Sequence, residues 1–325
     1  MARVPDDSGR GSLSERDRER LAAIRACENL SDLVRLTGAT DEHEAYFTAK
    51  TEWNGLRRRE LAAQAASTGL PGTCVTVGGH DFFVHGITHA GTDAERAYLR
   101  EHISAALDDG AVVYCEQGIR QLYFADLGVC EMDDYRWAMA QSAERGLDSQ
   151  VPDRDAHVGD RAPTSFDGVR EEIDSLASRF RAATFELIHD HSEHYGENVA
   201  SALGDVASDF LLSHEDFGTG VGFEAFRKNR QAAADPTRLD ALQRYYETTF
   251  LPQPLEREWL RRHDPELELV THARNERMAD YAVYHNEEAT EVRLVVGAAH
   301  QPGVRYYLEH FRDGDRRVDG FELVE

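Results

Sequence analysis

The sequence predicts an α/β protein: a central mixed β-sheet flanked by helices, with a large helical insertion. Two observations predict it. Short β-prone apolar runs at 73–77, 81–85, 111–115 and 291–296 are separated by stretches with the three-to-four residue spacing of amphipathic helices. The strand-like runs also fall into two blocks, 71–145 and 265–325, with helix after helix over 146–264 between them and an N-terminal helical segment over 1–70 ahead of them. The two strand blocks together are the expected core, and 146–264 is the insertion.

In chain order, residues 1–12 form no expected element. Helical patterns cover 13–37 and 43–67, the second closed by Gly69 and Pro71. Gly78 and Gly79 between two β-prone runs read as the turn of a hairpin. Thr92, with Glu95 three residues on, reads as a capping box opening a helix to about Leu107, whose buried stripe is Leu99, Ile103, Ala106 and Leu107. After Gly110, the run 111–115 is of the kind buried on both faces of a sheet. Pro152, Pro163 and many aspartates mark 146–166 as a linker or surface loop. Helices are expected at 167–192, 197–212, 239–249, 255–262 and 275–284. A strand follows at 291–296, then a helix opened by Pro302 and running to about Phe311, then a last strand at 321–324.

The charge is −24, with 60 acidic residues against 36 basic ones, of which only Lys50 and Lys228 are lysines. Such a surface suits concentrated salt, where ions screen its self-repulsion, so a halophilic cytoplasm is the preferred reading over an ordinary acidic protein from an arginine-favouring genome. Nucleic acid is excluded as a partner, because its phosphates would be repelled. Arg57, Arg58 and Arg59 read as a solvated helix face. Cys27, Cys74, Cys115 and Cys130 form no CxxC pair; no disulfide is expected, and Cys74 and Cys115 are read as core residues. Without an apolar leader or a run of about 18 apolar residues, no secretion and no membrane span are expected, and the location is cytoplasmic.

One local echo carries chemistry. Val84-His85-Gly86-Ile87-Thr88-His89 and Val295-Val296-Gly297-Ala298-Ala299-His300 are each an apolar strand running into Gly-x-x-His and a helix start. In open α/β sheets the carboxyl edge of the strands is where ligands bind. A third run, 111–115, ends in Glu116. A single strand-terminal histidine is more often a satisfied core residue. Two in matching contexts with a strand-terminal glutamate form a common hydrolytic metal set, zinc included, which leaves positions open for water and substrate.

The order of the motifs GITH at 86–89, CEQGIR at 115–120, RNERMA at 274–279 and VVGAAHQPGV at 295–304 resembles TraB/PrgY-type proteins and, more distantly, Tiki and GumN proteins. The resemblance covers the expected core and not the helical middle. It implies a fold like that of erythromycin-esterase and ChaN-type proteins. For the Tiki branch it implies a divalent-metal-dependent peptidase using manganese or cobalt. Carried over residue by residue, His89, Glu116 and His300 would be the metal ligands, with Glu116 also catalytic. Arg120 and Arg274 would be basic groups facing the site, able to stabilise an oxyanion or else to pair with Glu116 or another core acid. Asn275 would be a polar positioner. Two departures stand out: Ala273 occupies a place where an acidic residue is expected, and the membrane-spanning tail of many such chains is missing.

The expected function is therefore metal-dependent hydrolysis, peptidase-like, of a peptide or small-molecule substrate. The alternatives are a non-catalytic protein holding a peptide, metal or haem-like ligand in the same cleft, and a regulator whose helical insertion contacts a partner; a homo-oligomer is left open. Glu276 is a candidate base that could equally face water. His189, His191 and His194 read as a solvated surface before a metal site, and Gly218, Gly220 and Gly222 as a loop, because no strand precedes them. No GxSxG, HExxH or P-loop pattern occurs.

Overall fold

The computed structural model describes residues 13–62, 69–147, 166–286 and 289–325, with backbone alone over 166–174. The expected irregular start at 1–12, the continuation of the second helix to 67 and most of the linker at 146–166 fall outside the described residues.

The described elements are helices α1 (Glu15–Arg25), α2 (Leu30–Thr37) and α3 (Glu42–Ala62), the hairpin β1 (Thr73–Val77) and β2 (His80–Ile87), then α4 (Asp93–Asp108), β3 (Val112–Cys115), α5 (Ile119–Tyr123), β4 (Cys130–Glu131) and α6 (Asp134–Glu144). A helical run follows: α7 (Phe166–Asp190), α8 (Ser192–Tyr195), α9 (Glu197–Leu211), α10 (His214–Thr219), α11 (Phe223–Ala234), α12 (Leu239–Thr249), α13 (Gln253–His263) and α14 (Pro265–Glu268). A π-helical turn, Leu269–Ala273, leads into α15 (Arg274–Tyr284), and β5 (Glu291–Gly297) and α16 (Gln301–Asp313) complete the fold.

The molecule is thus mixed α/β, with one five-stranded sheet in the order β1-β2-β5-β3-β4. β1 is antiparallel to β2, and β2, β5, β3 and β4 are parallel. Both faces of the central strands are covered, and their side chains alternate accordingly. Val292, Leu294 and Val296 turn toward α15 and α16, where Met278, Ala282, Val304 and Leu308 meet them. Val295, Ile87 and Cys115 turn the other way, against Leu99 and Ile103 of α4 and Leu242 and Tyr246 of α12. The later part of the expected insertion therefore completes the core of the sheet. A second core joins α1–α3 to α13, with Tyr46 stacked on Trp259 at 4.0 Å.

Several local expectations are corrected. The span 13–37 is two helices, because the Asn29 side chain accepts from the Asp32 amide and starts a new one. Thr92 caps α4 by accepting from the Glu95 amide at 3.2 Å, but the Glu95 carboxylate is buried elsewhere, accepting from the Thr88 amide at 2.9 Å and the Tyr123 hydroxyl at 2.6 Å. Arg57 is buried and paired with Glu247 at 2.7 Å, since its side of α3 faces α12. Cys74 is exposed because it points outward from the edge strand while Val75 points in; Cys115 is buried. Residues 321–324 form no strand: the Val324 amide donates to Asp133 at 2.8 Å, and Phe321 lies against the Arg277 guanidinium, so side chains hold this segment. The glycine run is a corner between helices, Gly218 lying within α10, Gly220 ending it in a left-handed conformation and Gly222 preceding α11. Among the described residues no helix is long and apolar enough to cross a membrane.

Candidate active site

The sheet order builds the site. The chain leaves β2, crosses through α4 and returns as β3 two strand positions along, and β5 fills the gap between them. The carboxyl ends of β2, β5 and β3 therefore lie side by side, at the edge where parallel sheets bind ligands. Glu116 follows β3 directly, and its amide still donates to Val295 of β5 at 3.0 Å. His89 lies two residues past the end of β2, and His300 three residues past the end of β5, at the start of α16.

Glu116 is buried between the two imidazoles. Its Oε2 lies 3.6 Å from His89 Nε2 and accepts from the Gly297 amide at 2.8 Å. Its Oε1 lies 3.6 Å from His300 Nε2 and accepts from Arg274 Nη2 at 2.7 Å. Gly297 is required here, because a side chain at that position would run into the His89 ring. At Gly303 a Cβ would run into the Asn275 amide in the same way.

Asn275 sets the state of His300. Its Nδ2 donates to Gln253 Oε1 at 2.9 Å, which leaves its Oδ1 to accept from His300 Nδ1 at 2.7 Å. With Nδ1 protonated, the neutral ring presents a lone pair at Nε2. Burial drives the His300 pKa down to about 3 against the pull of Glu116, so the ring is neutral at pH 7. A lone pair and a carboxylate oxygen thus face each other with no hydrogen between them, an arrangement that a cation relieves.

Arg274 is buried and bridges two acids. It donates to Glu116 and, through Nε, to Asp134 Oδ2 at 2.7 Å, while the other Asp134 oxygen accepts from the Gln117 amide at 2.9 Å. Burial alone would raise the Glu116 pKa, but attraction to His300 when protonated and to Arg274 holds it well below the usual range. With His300 neutral, Arg274 is the charge that keeps Glu116 ionised at pH 7. Burial pushes Asp134 up to about 6 against the attraction of Arg274, with Glu116 adding to the rise. Above that pH two buried carboxylates share one guanidinium, and the cluster carries a net negative charge.

His89, Glu116, His300, Arg274 and Asn275 are therefore brought together. Arg120 is not joined to them: its Nη2 donates to the Ala125 carbonyl at 3.4 Å, and its Nε is buried with no hydrogen-bond partner. The ion-pair role belongs to Arg274. Glu276 is paired with Arg257 and Arg316, which removes it as a candidate base. Asp134 and Gln253 were not visible as site residues in the sequence. Asp134, the first residue of α6, is the acidic partner of Arg274, and no local pattern marked it as a site residue. His191 and His194 are exposed, with ring centroids 5.8 Å apart, and His189 lies against Phe226.

Among the described residues no group of three or more His, Cys, Asp or Glu is arranged to hold a metal ion. At the rim the reason is visible: the two imidazoles address different oxygens of Glu116 rather than one common point. A surface cleft of about 460 Å³ lined by Arg257, Arg261, Tyr306 and His310 lies away from these residues. Comparisons with protein families, with characterised proteins and with solved structures find no match for this chain.

Proposed function

We propose that the chain is a metal-dependent hydrolase related to the TraB/PrgY and Tiki proteins, with an erythromycin-esterase/ChaN-like core, acting on peptide or small-molecule substrates at the rim around Glu116. The observation that carries this reading is one buried carboxylate with an imidazole Nε2 3.6 Å from each of its oxygens. Two imidazoles and a carboxylate are a donor set of hydrolytic metal centres. Their separation is close to the distance of about 3.4 Å between neighbouring ligands of a tetrahedral ion with bonds of 2.0–2.2 Å.

His89, Glu116 and His300 would hold the ion: manganese, cobalt or zinc. His300 is held in the required tautomer by Asn275 and Gln253, and the side chain of His89, 45% exposed, has room to swing toward the same point. A divalent ion there would supply Lewis acidity and lower the pKa of a bound water to about 7. Arg274 keeps Glu116 ionised, and the net negative charge of the cluster favours a cation.

A second reading rests on His89 being open to solvent while Glu116 sits behind it: the pair could act as a metal-free base, the carboxylate orienting the ring. Elemental analysis of protein purified in high salt, paired with assays on unstructured peptides and simple esters, separates the readings. The expected result is a bound divalent ion in the wild type, lost in His300→Ala, with cleavage abolished by chelation and restored by manganese, cobalt or zinc. Cleavage that survives chelation selects the His89–Glu116 base. A wild type that takes up no ion in equilibrium dialysis sinks the metal reading, and tight binding without cleavage of any substrate makes this a binding protein.

A further inference from the structure

The helical hairpin of α7 and α9 turns apolar side chains in two directions. Inward, Phe185 packs on Phe223 of α11 at 5.5 Å between ring centroids, and Gly204 leaves room for the same ring. Outward, Leu176, Phe180 and Leu187 of α7 and Val199, Leu203, Val206 and Phe210 of α9 are 45% to 84% exposed. These positions are spaced four and three residues apart, with Ala183 completing the α7 series, so each helix carries a continuous apolar stripe of the kind that packs against another helix. Together they expose roughly 800 Å² of apolar surface, more than a typical monomer leaves uncovered and about what one partner contributes to a stable interface.

Among the described residues nothing covers these side chains. An anionic membrane is repelled by the charge of −24. A second copy fits in area, since it brings an equal apolar face to an interface of standard size. A two-fold axis that lays α7 of one copy on α9 of the other buries both stripes. In concentrated salt the repulsion between two acidic chains is screened, while apolar burial persists.

We propose that the outer face of the α7–α9 hairpin is a dimerisation surface, occupied by the same hairpin of a second copy in an antiparallel four-helix bundle. The test is light scattering on size-fractionated protein in molar KCl, with dimer dissociation followed by dilution. Wild type should run at twice the chain mass. Phe210→Asp should weaken the dimer by roughly 30-fold or more, as loss of a central aromatic anchor does. Phe210 is 84% exposed, so the circular dichroism of the variant should match wild type. Leu176→Asp, on the α7 stripe and 61% exposed, should weaken the dimer as well. A monomeric wild type, with or without binding to neutral phosphatidylcholine vesicles, overturns the proposal. A dimer indifferent to Phe210→Asp overturns it equally, and one indifferent to Leu176→Asp overturns the part played by α7.

Discussion

The two Gly-x-x-His segments share a spacing but not an environment. His300, 15% exposed, is fixed through Nδ1 by Asn275, while His89 is 45% exposed at the mouth of the site. The strand register explains the difference. Ile87, not Gly86, stands opposite Gly297, so the two motifs are one residue out of phase across the sheet. Because strand side chains alternate faces, such an offset sends equivalent positions in different directions. The residue before each glycine differs too: His85, buried with Nδ1 donating to the Pro71 carbonyl at 2.9 Å, against Val296 in the core. Equal motifs therefore predict equal chemistry only for isolated side chains; protonation state and mobility come from the neighbours.

The largest expected effect tests the fixed half of this pair. Arg274→Met leaves the buried Glu116 and Asp134 facing each other without a cation, and should cost about 3–5 kcal/mol in urea unfolding at pH 7, with part of the loss recovered below pH 6 as a carboxyl takes up a proton. A cost under about 1 kcal/mol would mean that Arg274 does not balance the pair.

Acid sharpens the difference between the copies. Burial lowers His85 to about 4, outweighing the Pro71 carbonyl that favours its protonated form. Its folded pKa lies below its unfolded value, so stability is complete above pH 6.5 and falls as pH drops from there through 4, by about 3 kcal/mol. Asp134, raised to about 6, works in the opposite sense and adds stability as pH falls from 6 toward 4. His85→Val installs the residue found in the second copy and should shrink the acid limb of the melting curve, leaving the part due to His300, lowered to about 3 by burial; an unchanged limb would assign His85 no share of it.

Asn275→Ala frees the His300 ring without removing it. On the proposed metal reading, affinity should fall by about 10–100-fold, while His89→Ala and His300→Ala would each remove a proposed ligand outright. Equal affinity in Asn275→Ala, read by titration with cobalt, would show that the tautomer is set by something other than Asn275. The smallest expected effect is on stability in His89→Ala: within about 0.5 kcal/mol of wild type, as for exposed side chains elsewhere. A larger change would mean that His89 is more firmly held than its exposure indicates.

Much of the frame is legible in the sequence because it depends on local pattern. The hairpin at Gly78-Gly79, the stripe of α4, the strand before Gly297 and the helix opened by Pro302 are each written in spacing within a dozen residues. Short elements without a period of their own were not legible: α5, α10 and β4 hold their shape through what they pack on. The same limit explains Cys74, whose β-prone surroundings say strand but not which face is outward, and Arg57, whose charge says surface until α12 covers it.

The sequence by itself determined which residues follow the strands: His89 and His300 after Gly-x-x, Glu116 after an apolar run, and an Arg-Asn pair at the head of a helix. Residue types and strand termini are local properties, set by side-chain chemistry and backbone periodicity. The tertiary structure alone decided how these groups are partnered. Insertion of β5 between β2 and β3 puts both imidazoles on one carboxylate, and the packing of α6 brings Asp134 to Arg274 across 140 residues of chain. Gln253 on α13 orients Asn275 and through it His300, while Arg120, close to Glu116 in sequence, turns to Ala125 instead. Such pairings come from long-range packing and from the need of every buried charge and polar atom for a partner, which no window of sequence contains.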